Sequence, residues 1–400
     1  MKPSSKDIRG FTFSALAAGI KKEGADRLDF GLVVADTPAP AACVTTTNLV
    51  CAAPVLITRD RLEQGVCQAV LANSGNANAY TGQRGLRDAL ALTESTAGRL
   101  GIDRDLIVPM STGVIGNPLP VERMQSRIPN LVDGLATGTA MDFARSIMTT
   151  DTVPKKVVLD GELSVGPMRM LGIAKGAGMI APHMATMLAV ILADVRAEPA
   201  FLKQTLTQAA NVSFNRITVD GDNSTNDTVL LMVGGAPDCL RLSDASSDRE
   251  TFAQMLAQVC VDLARALLLD AEGGTKLVEI HVCGAPDEDA AEKVARTVAE
   301  SQLVKTAFNG GDPNWGRIIA AAGRSGVPFD PAVIDLSIGE VPIVRKGTMV
   351  DGDWESPAAE VMKLREFSVL LDLKAGRADA VILTTDLSAE YVRINADYRS

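Results

Sequence analysis

Lys175-Gly176-Ala177-Gly178-Met179-Ile180-Ala181-Pro182-His183-Met184-Ala185-Thr186-Met187-Leu188 carries the decision about fold and chemistry in this 400-residue chain. A lysine beside glycines invites a phosphate-binding reading. A P-loop, however, needs Gly-x4-Gly-Lys-Ser/Thr, with the lysine after the loop, and here the order is reversed. What remains is a lead-in of small residues, then Ala185-Thr186 opening the apolar run Met187–Ala193, which is short enough for a buried strand. Such a position suits a nucleophile released by backbone cleavage. Cutting between Ala185 and Thr186 would free an α-amino group whose pKa, near ~8, lets it serve as base for the threonine's own hydroxyl. Taken by themselves, these residues favour an ordinary strand start, because Ala-Thr is commonplace there.

Outward from this segment, short β-rich runs alternate with amphipathic helices. In Leu86–Gly101 the residues Leu86, Ala89, Leu90, Ala97 and Leu100 share a helical face, and Gly101 offers a stop. Phe252–Leu269 predicts a longer helix striped by Phe252, Leu256, Val259, Leu263, Ala266 and Leu267, and Ala290–Val304 predicts another. Lys276–Val282 alternates with period two, so Val278, Ile280 and Val282 face one way and Glu279 and His281 the other. Phe367–Leu373 and Ala378–Thr385 are expected as strands around the turn Lys374-Ala375-Gly376-Arg377. Interleaved strands and helices with hairpin connections read as α+β with layered sheets. A chain of this length is expected to form two lobes.

Composition narrows the function. With 39 Lys and Arg against 49 Asp and Glu, the formal charge is −10, which disfavours nucleic acid and anionic membrane as partners. No apolar stretch is expected to approach the roughly 20 residues that span a bilayer, and no signal-peptide run follows Met1, so a cytoplasmic protein is expected. The six cysteines lack metal-site spacing and are expected to be buried, reduced thiols; no metal is expected. His183 and His281 are the only histidines, so a three-histidine zinc site is ruled out. The run Asp220–Asp227 lacks the spacing of a calcium loop and reads as a hydrogen-bonded turn. Asp312–Arg317 reads as a rigid loop with Trp315 packed and Arg317 paired.

Lys175–Leu188 resembles the self-cleavage segment of the ornithine acetyltransferases, also called glutamate N-acetyltransferases. Further matches run along most of the chain. They include Asn73-Ser74-Gly75-Asn76-Ala77-Asn78-Ala79, Ser111-Thr112-Gly113-Val114-Ile115-Gly116 and Thr149-Thr150-Asp151-Thr152. Downstream stand Ser213–Asp222, Ser224-Thr225-Asn226-Asp227-Thr228, Glu272–Leu277, Leu303–Ala307, Asp312–Arg317 and Ile394–Ser400. The resemblance implies a layered α/β/β/α sandwich of the ornithine acetyltransferase and aminopeptidase DmpA-like type. It implies self-cleavage between Ala185 and Thr186 into an α chain, 1–185, and a β chain, 186–400, assembling as α2β2 or larger. Thr186 would be the nucleophile, and Thr112 and Gly113 the oxyanion hole. Thr152, Lys175, Thr186, Glu272, Asn395 and Ser400 would contact substrate. The implied reaction moves acetyl from N2-acetylornithine to glutamate by a ping-pong route in arginine biosynthesis. No cofactor is implied, and acetyl-CoA is left open as a second acetyl donor.

Three positions depart from the family pattern: His183 where Asn is commoner, Tyr80 where Cys is common, and Asn223 where Thr or Met is common. None removes a group needed for acyl transfer. Two rivals stand beside this reading, an aminopeptidase or amidase of the same fold and a non-catalytic binding paralogue.

Overall fold

The computed structural model describes residues 7–181 and 187–397, so Ala185, Thr186, His183 and Ser400 lie outside the described residues. The chain forms two compact units. One comprises residues up to Asn215 together with Asp222–Leu267; the other comprises Arg216–Gly221 and Leu268–Arg399.

The first unit is built on a long strand that belongs to two sheets. Phe30–Thr45 pairs through its first half with Phe11–Leu16 and Val66–Asn73, and through its second half with Thr228–Val233. The pairing register with Val66–Asn73 shifts between Val34 and Ala39, and the strand passes there from one leaf to the other. The first leaf continues to Ile107–Ser111. The second runs from Thr228–Val233 through Leu188–Ala193 and Gly166–Lys175 to Lys155–Leu163.

Period-two alternation decides which faces meet. Val33, Ala35, Val70, Ala72, Val108 and Met110 of the first leaf join Leu171, Ile173, Leu188, Val190, Leu192, Leu230 and Met232 of the second in one buried cluster. The opposite face of the first leaf, with Phe30, Leu32, Val34, Leu71 and Ile107, is covered by Leu92 and Ala97 of helix Gly82–Leu100 and by Met124, Ile128 and Leu131 of helix Val121–Asp133. On the outer face of the second leaf lies helix Ser246–Leu269. It sits so close that a Cβ on Gly172 would meet Val259 Cγ1 at 2.5 Å and Leu263 Cδ1 at 2.8 Å. Helix, leaf, leaf and helix make the expected α/β/β/α layering.

The second unit holds a seven-stranded sheet. Its order is Thr348–Met349, Val341–Arg345, Asp335–Ile338, Glu366–Asp372, Leu277–Ala285, Ala378–Thr385 and Ile217–Thr218. Val278, Ile280 and Val282 enter its core with Val294, Ala295 and Val298 of helix Glu288–Ala299. His281, on the other face as expected, pairs loosely with Asp379 at 3.3 Å.

Several expectations are corrected in detail. Glu366–Asp372 and Ala378–Thr385 are not hairpin neighbours, because Leu277–Ala285 lies between them, parallel to the first and antiparallel to the second. Ala290–Val304 is two helices, Glu288–Ala299 and Gln302–Gly310, broken at Glu300-Ser301. In helix Gly82–Leu100, ended as expected by Gly101 at φ +70°, Leu90 is exposed, and the buried stripe is Gly85, Ala89, Leu92, Thr93, Thr96 and Ala97. Trp315-Gly316-Arg317 opens a helix, Trp315–Gly323, instead of lying in a loop. Asn314 caps it, and Arg317 donates to the Leu303 carbonyl at 2.9 Å. Cys67 and Cys260 are buried, whereas Cys43, Cys51, Cys239 and Cys283 are half-buried; all six are unpaired. Burial pushes the Cys43 and Cys260 thiols up to about 11 and about 12. Contrary to the expectation for apolar stretches, one helix among the described residues, Ser246–Leu269, is long and apolar enough to cross a membrane by length and composition. Its stripe of Phe252, Leu256, Val259, Leu263 and Leu267 is buried in the protein, the placement of a core helix.

Candidate active site

In the first unit the matched residues gather where strand ends meet. Ser111 closes its strand, and Thr112-Gly113 turns away over Gly75-Asn76. Gly113 has φ +128°, and a Cβ there would lie 2.4 Å from the Gly75 carbonyl carbon and 2.6 Å from the Asn76 nitrogen, so only glycine fits. The turn is held by buried amides. Asn73 accepts from Ser111 Oγ at 2.7 Å and donates to the Asn76 carbonyl; Asn226 donates to the carbonyls of Ala77 (2.6 Å) and Ser111 (2.8 Å). The asparagine-rich run 73–79 and the 224–228 turn therefore act as one scaffold for Thr112 and Gly113. The Thr112 amide is itself spent on the Asn73 carbonyl at 3.0 Å. An oxyanion at this turn would thus be met by the Gly113 N–H and the Thr112 hydroxyl.

Lys175 ends its strand with the same parity as Leu171 and Ile173, which points it between the leaves. It is only 2% exposed, and its ammonium donates to Thr112 Oγ1 at 3.1 Å. Across the ladder it pairs with Leu188, two residues beyond Thr186.

Two buried carboxyls flank Lys175, Asp151 and Asp227, neither of which the sequence had singled out as a site residue. Asp151 accepts from Lys155 Nζ at 2.6 Å, the Gly176 amide at 2.7 Å and the Thr149 amide at 3.0 Å. Burial alone would raise its pKa, but the charges of Lys175 and Lys155 and these bonds overcome that and hold it at about 2. Its neighbour Thr152 is exposed. The sole sequence hint was a lysine four residues after Asp151.

Asp227, fully buried, accepts the Met187 amide at 3.1 Å. Desolvation dominates there and drives its pKa well above the ordinary carboxyl value, against hydrogen bonds from Met187 and Ser224 and the charge of Lys175. A carboxyl with a raised folded pKa stabilises the fold fully below its unfolded pKa of 3.8 and loses that contribution as pH rises through the folded value. Asp227→Asn is therefore expected to match the wild-type melting temperature near pH 4 and exceed it at pH 8. A variant that melts lower at pH 8 would refute the buried neutral acid.

In the second unit Glu272 Oε2 accepts from Asn395 Nδ2 at 2.8 Å, bringing two of the matched residues together. Asn395 sits on helix Ala389–Asp397, whose Tyr391 hydroxyl donates to Asp220 at 3.0 Å. The loop carrying Glu272 is pinned by Asp386, which accepts from the Thr275 and Lys276 amides and the Thr275 hydroxyl. Gly273, at φ +66°, passes so near this helix that a Cβ would meet the Tyr391 nitrogen at 2.4 Å. Of the departures, Tyr80 is 80% exposed at φ +56°, and Asn223 accepts from Asn48 through its carbonyl at 3.2 Å and its side chain at 3.3 Å.

Layered leaves enclosing a glycine-only turn and a buried lysine define an α+β sandwich. A family model described as the ArgJ family matches residues 12–400. A protein named arginine biosynthesis bifunctional protein ArgJ from Desulfotalea psychrophila is 49% identical over 394 residues, which cover 98% of this chain and 100% of that one. Its namesake from Geobacter sulfurreducens is 47% identical with the same coverage. Among solved structures, the protein of that name from Bacillus halodurans is 37% identical at a TM-score of 0.48, covering 51% of this chain and 96% of its own. The chain belongs to the ArgJ family.

Proposed function

We propose that this chain is an ornithine acetyltransferase that transfers acetyl from N2-acetylornithine to glutamate in the cytoplasm, working as two chains, 1–185 and 186–400, joined in α2β2 or larger assemblies. The observation that carries the reading is the Lys175–Thr112 contact beside a glycine-only turn, in a chain matched to ArgJ proteins along 98% of its length.

In the proposed reaction, Thr186 Oγ attacks the acetyl carbonyl while its proton passes to the Thr186 α-amine. The carbonyl oxygen becomes an oxyanion facing the Gly113 N–H and the Thr112 hydroxyl. Collapse breaks the C–N bond, and the amine proton leaves with ornithine. Glutamate's amine then attacks the acetyl-threonine ester, and Thr186 regains its hydroxyl. Thr152, Lys175, Glu272, Asn395 and Ser400 are proposed contacts for the amino-acid substrates. The relatives' name, bifunctional, supports acetyl-CoA as a second acetyl donor.

Intact mass spectrometry under denaturing conditions tests the reading. Two chains of roughly 19 and 23 kDa, by residue share of the 42.0 kDa total, are expected. A single 42.0 kDa chain would overturn it, because Thr186 would never gain a free amine.

A further inference from the structure

We infer that Lys305 and Asn309, on helix Gln302–Gly310, are the positioning residues behind the amino-acid contacts, holding Glu272 and Asn395 in place through the segment Thr384–Ser388. The inference rests on the proposed substrate contacts of Glu272 and Asn395 and adds the two side chains on which their placement depends.

The run Leu303–Ala307 matches the family, yet the acyl-transfer steps give it no task. The fold turns its lysine inward. Lys305 is 3% exposed, and its ammonium donates to Thr384 Oγ1 at 2.8 Å and to the Thr385 carbonyl. The Lys305 carbonyl accepts the Leu387 amide at 3.1 Å, and one turn further on Asn309 Nδ2 donates to Asp386 at 2.6 Å. One helix thus grips four consecutive residues, Thr384 to Leu387, where strand Ala378–Thr385 ends. Desolvation brings the Lys305 pKa down to about 8, against the charges of Asp386, Asp220 and Glu300, which hold it up. An apolar side chain would fill the same space without that penalty, so what the lysine contributes is its donors.

Both proposed contacts hang on the gripped segment. Asp386 accepts the Thr275 and Lys276 amides at 2.7 and 2.8 Å and the Thr275 hydroxyl at 2.7 Å. Ser388 Oγ donates to the Gly273 carbonyl at 2.6 Å, so the loop that follows Glu272 is held at three residues. Leading out of the segment is helix Ala389–Asp397, whose Asn395 meets Glu272 at 2.8 Å. No residue of that helix is fully buried. Its aim therefore depends on the segment it leaves and on Tyr391, whose hydroxyl bonds Asp220. Loosening Thr384–Leu387 displaces Glu272 and Asn395 together. Such a shift weakens the hold on substrate and leaves the chemistry at Thr186 intact once substrate is bound.

A split between KM and kcat tests this. Lys305→Met and Asn309→Ala are compared in the cleaved full-length protein with Glu272→Ala and with the Lys305→Met/Glu272→Ala pair, using N2-acetylornithine and glutamate. Intact mass first gives the cleaved fraction, and rates are expressed per cleaved molecule. Expected for Lys305→Met is a KM for N2-acetylornithine raised about 10-fold with kcat within about 2-fold of wild type, and for Asn309→Ala a KM raised about 5-fold. The double variant is expected to show the KM of Glu272→Ala alone, because nothing is left to position. Asn309→Ala, which removes one bond and no charge, carries the test if Lys305→Met fails to fold. A loss of kcat with KM unchanged, or KM effects that multiply in the double variant, makes these ordinary core residues and overturns the inference. Wild-type KM in both single variants overturns it as well. Wild-type KM in Glu272→Ala would instead remove Glu272 from the substrate contacts of the proposed function.

Discussion

Thr186→Ala is expected to give one 42.0 kDa chain that neither cuts itself nor transfers acetyl groups. Both losses have one origin. Cleavage needs the hydroxyl to attack the preceding carbonyl, and transfer needs the same hydroxyl plus the amine that cleavage exposes. Losing a nucleophile that has no substitute removes its whole covalent route, so a drop of at least about 10⁴-fold in turnover is expected. Thr186→Ser keeps both groups and is expected to be cut and to retain transfer. With N2-acetylornithine and no acceptor, the wild-type chain beginning at Thr186 is expected to gain about 42 Da, the acetyl ester, while the alanine variant gains nothing. An uncut alanine variant that still turns over would sink the nucleophile, and with it the division at Ala185–Thr186. The location of that bond gives the result structural meaning. Strands on either side of it, Gly166–Lys175 and Leu188–Ala193, are hydrogen-bonded neighbours in one leaf. Two chains made by the cut would share a sheet and a buried cluster, which is a strong reason for them to stay together.

What the sequence made legible was whatever depends on near neighbours. The buried strand at Leu188–Ala193 follows from a run of six apolar residues, and the stripe of Ser246–Leu269 from a 3.6-residue period. The resemblance singled out Gly113, but the need for glycine there shows only in the Gly75 and Asn76 backbone packed against it. Long-range pairings were not legible, because periodicity names a face and never its partner. Glu366–Asp372 and Ala378–Thr385 look like a hairpin, yet a strand from about a hundred residues earlier lies between them. Leu90 fits a helical stripe in sequence, but the leaf beneath is covered by Leu92 and Ala97 instead. The Lys175–Thr112 contact spans 63 positions, and nothing local in either residue announces it. Charged residues hide their role most. A solvated aspartate and a buried one are spelled identically, and Asp151 is distinguished only by the two lysines the fold brings to it.

Asp151→Asn is the substitution expected to cost the fold most. The asparagine has nearly the same shape, but its single oxygen can replace only one carboxylate oxygen, the one facing Gly176 and Lys155 or the one facing Thr149, and it carries no charge. Lys155 and Lys175, at 3% and 2% exposure, would then be left as buried cations of like sign. Breaking one side of a buried ion pair typically destabilises by ~3–5 kcal/mol, because the remaining charge keeps its desolvation penalty without compensation. Urea unfolding of the cleaved protein at pH 7 is expected to show a loss of that order. The wild type should reveal the same carboxylate through pH. Its folded pKa, about 2, lies below the unfolded 3.8, so its contribution is fully present above 3.8 and fades as pH falls towards 2. That separation corresponds to roughly 2 kcal/mol, and the variant should lack this part of the acid sensitivity. The two measurements check each other. If Asp151→Asn were as stable as wild type at pH 7 yet lost the acid-sensitive component, the lysines would have shed their protons or found other counter-charges. The ion-pair argument would then fail, since it requires the Lys155 and Lys175 ammoniums to stay charged between the leaves.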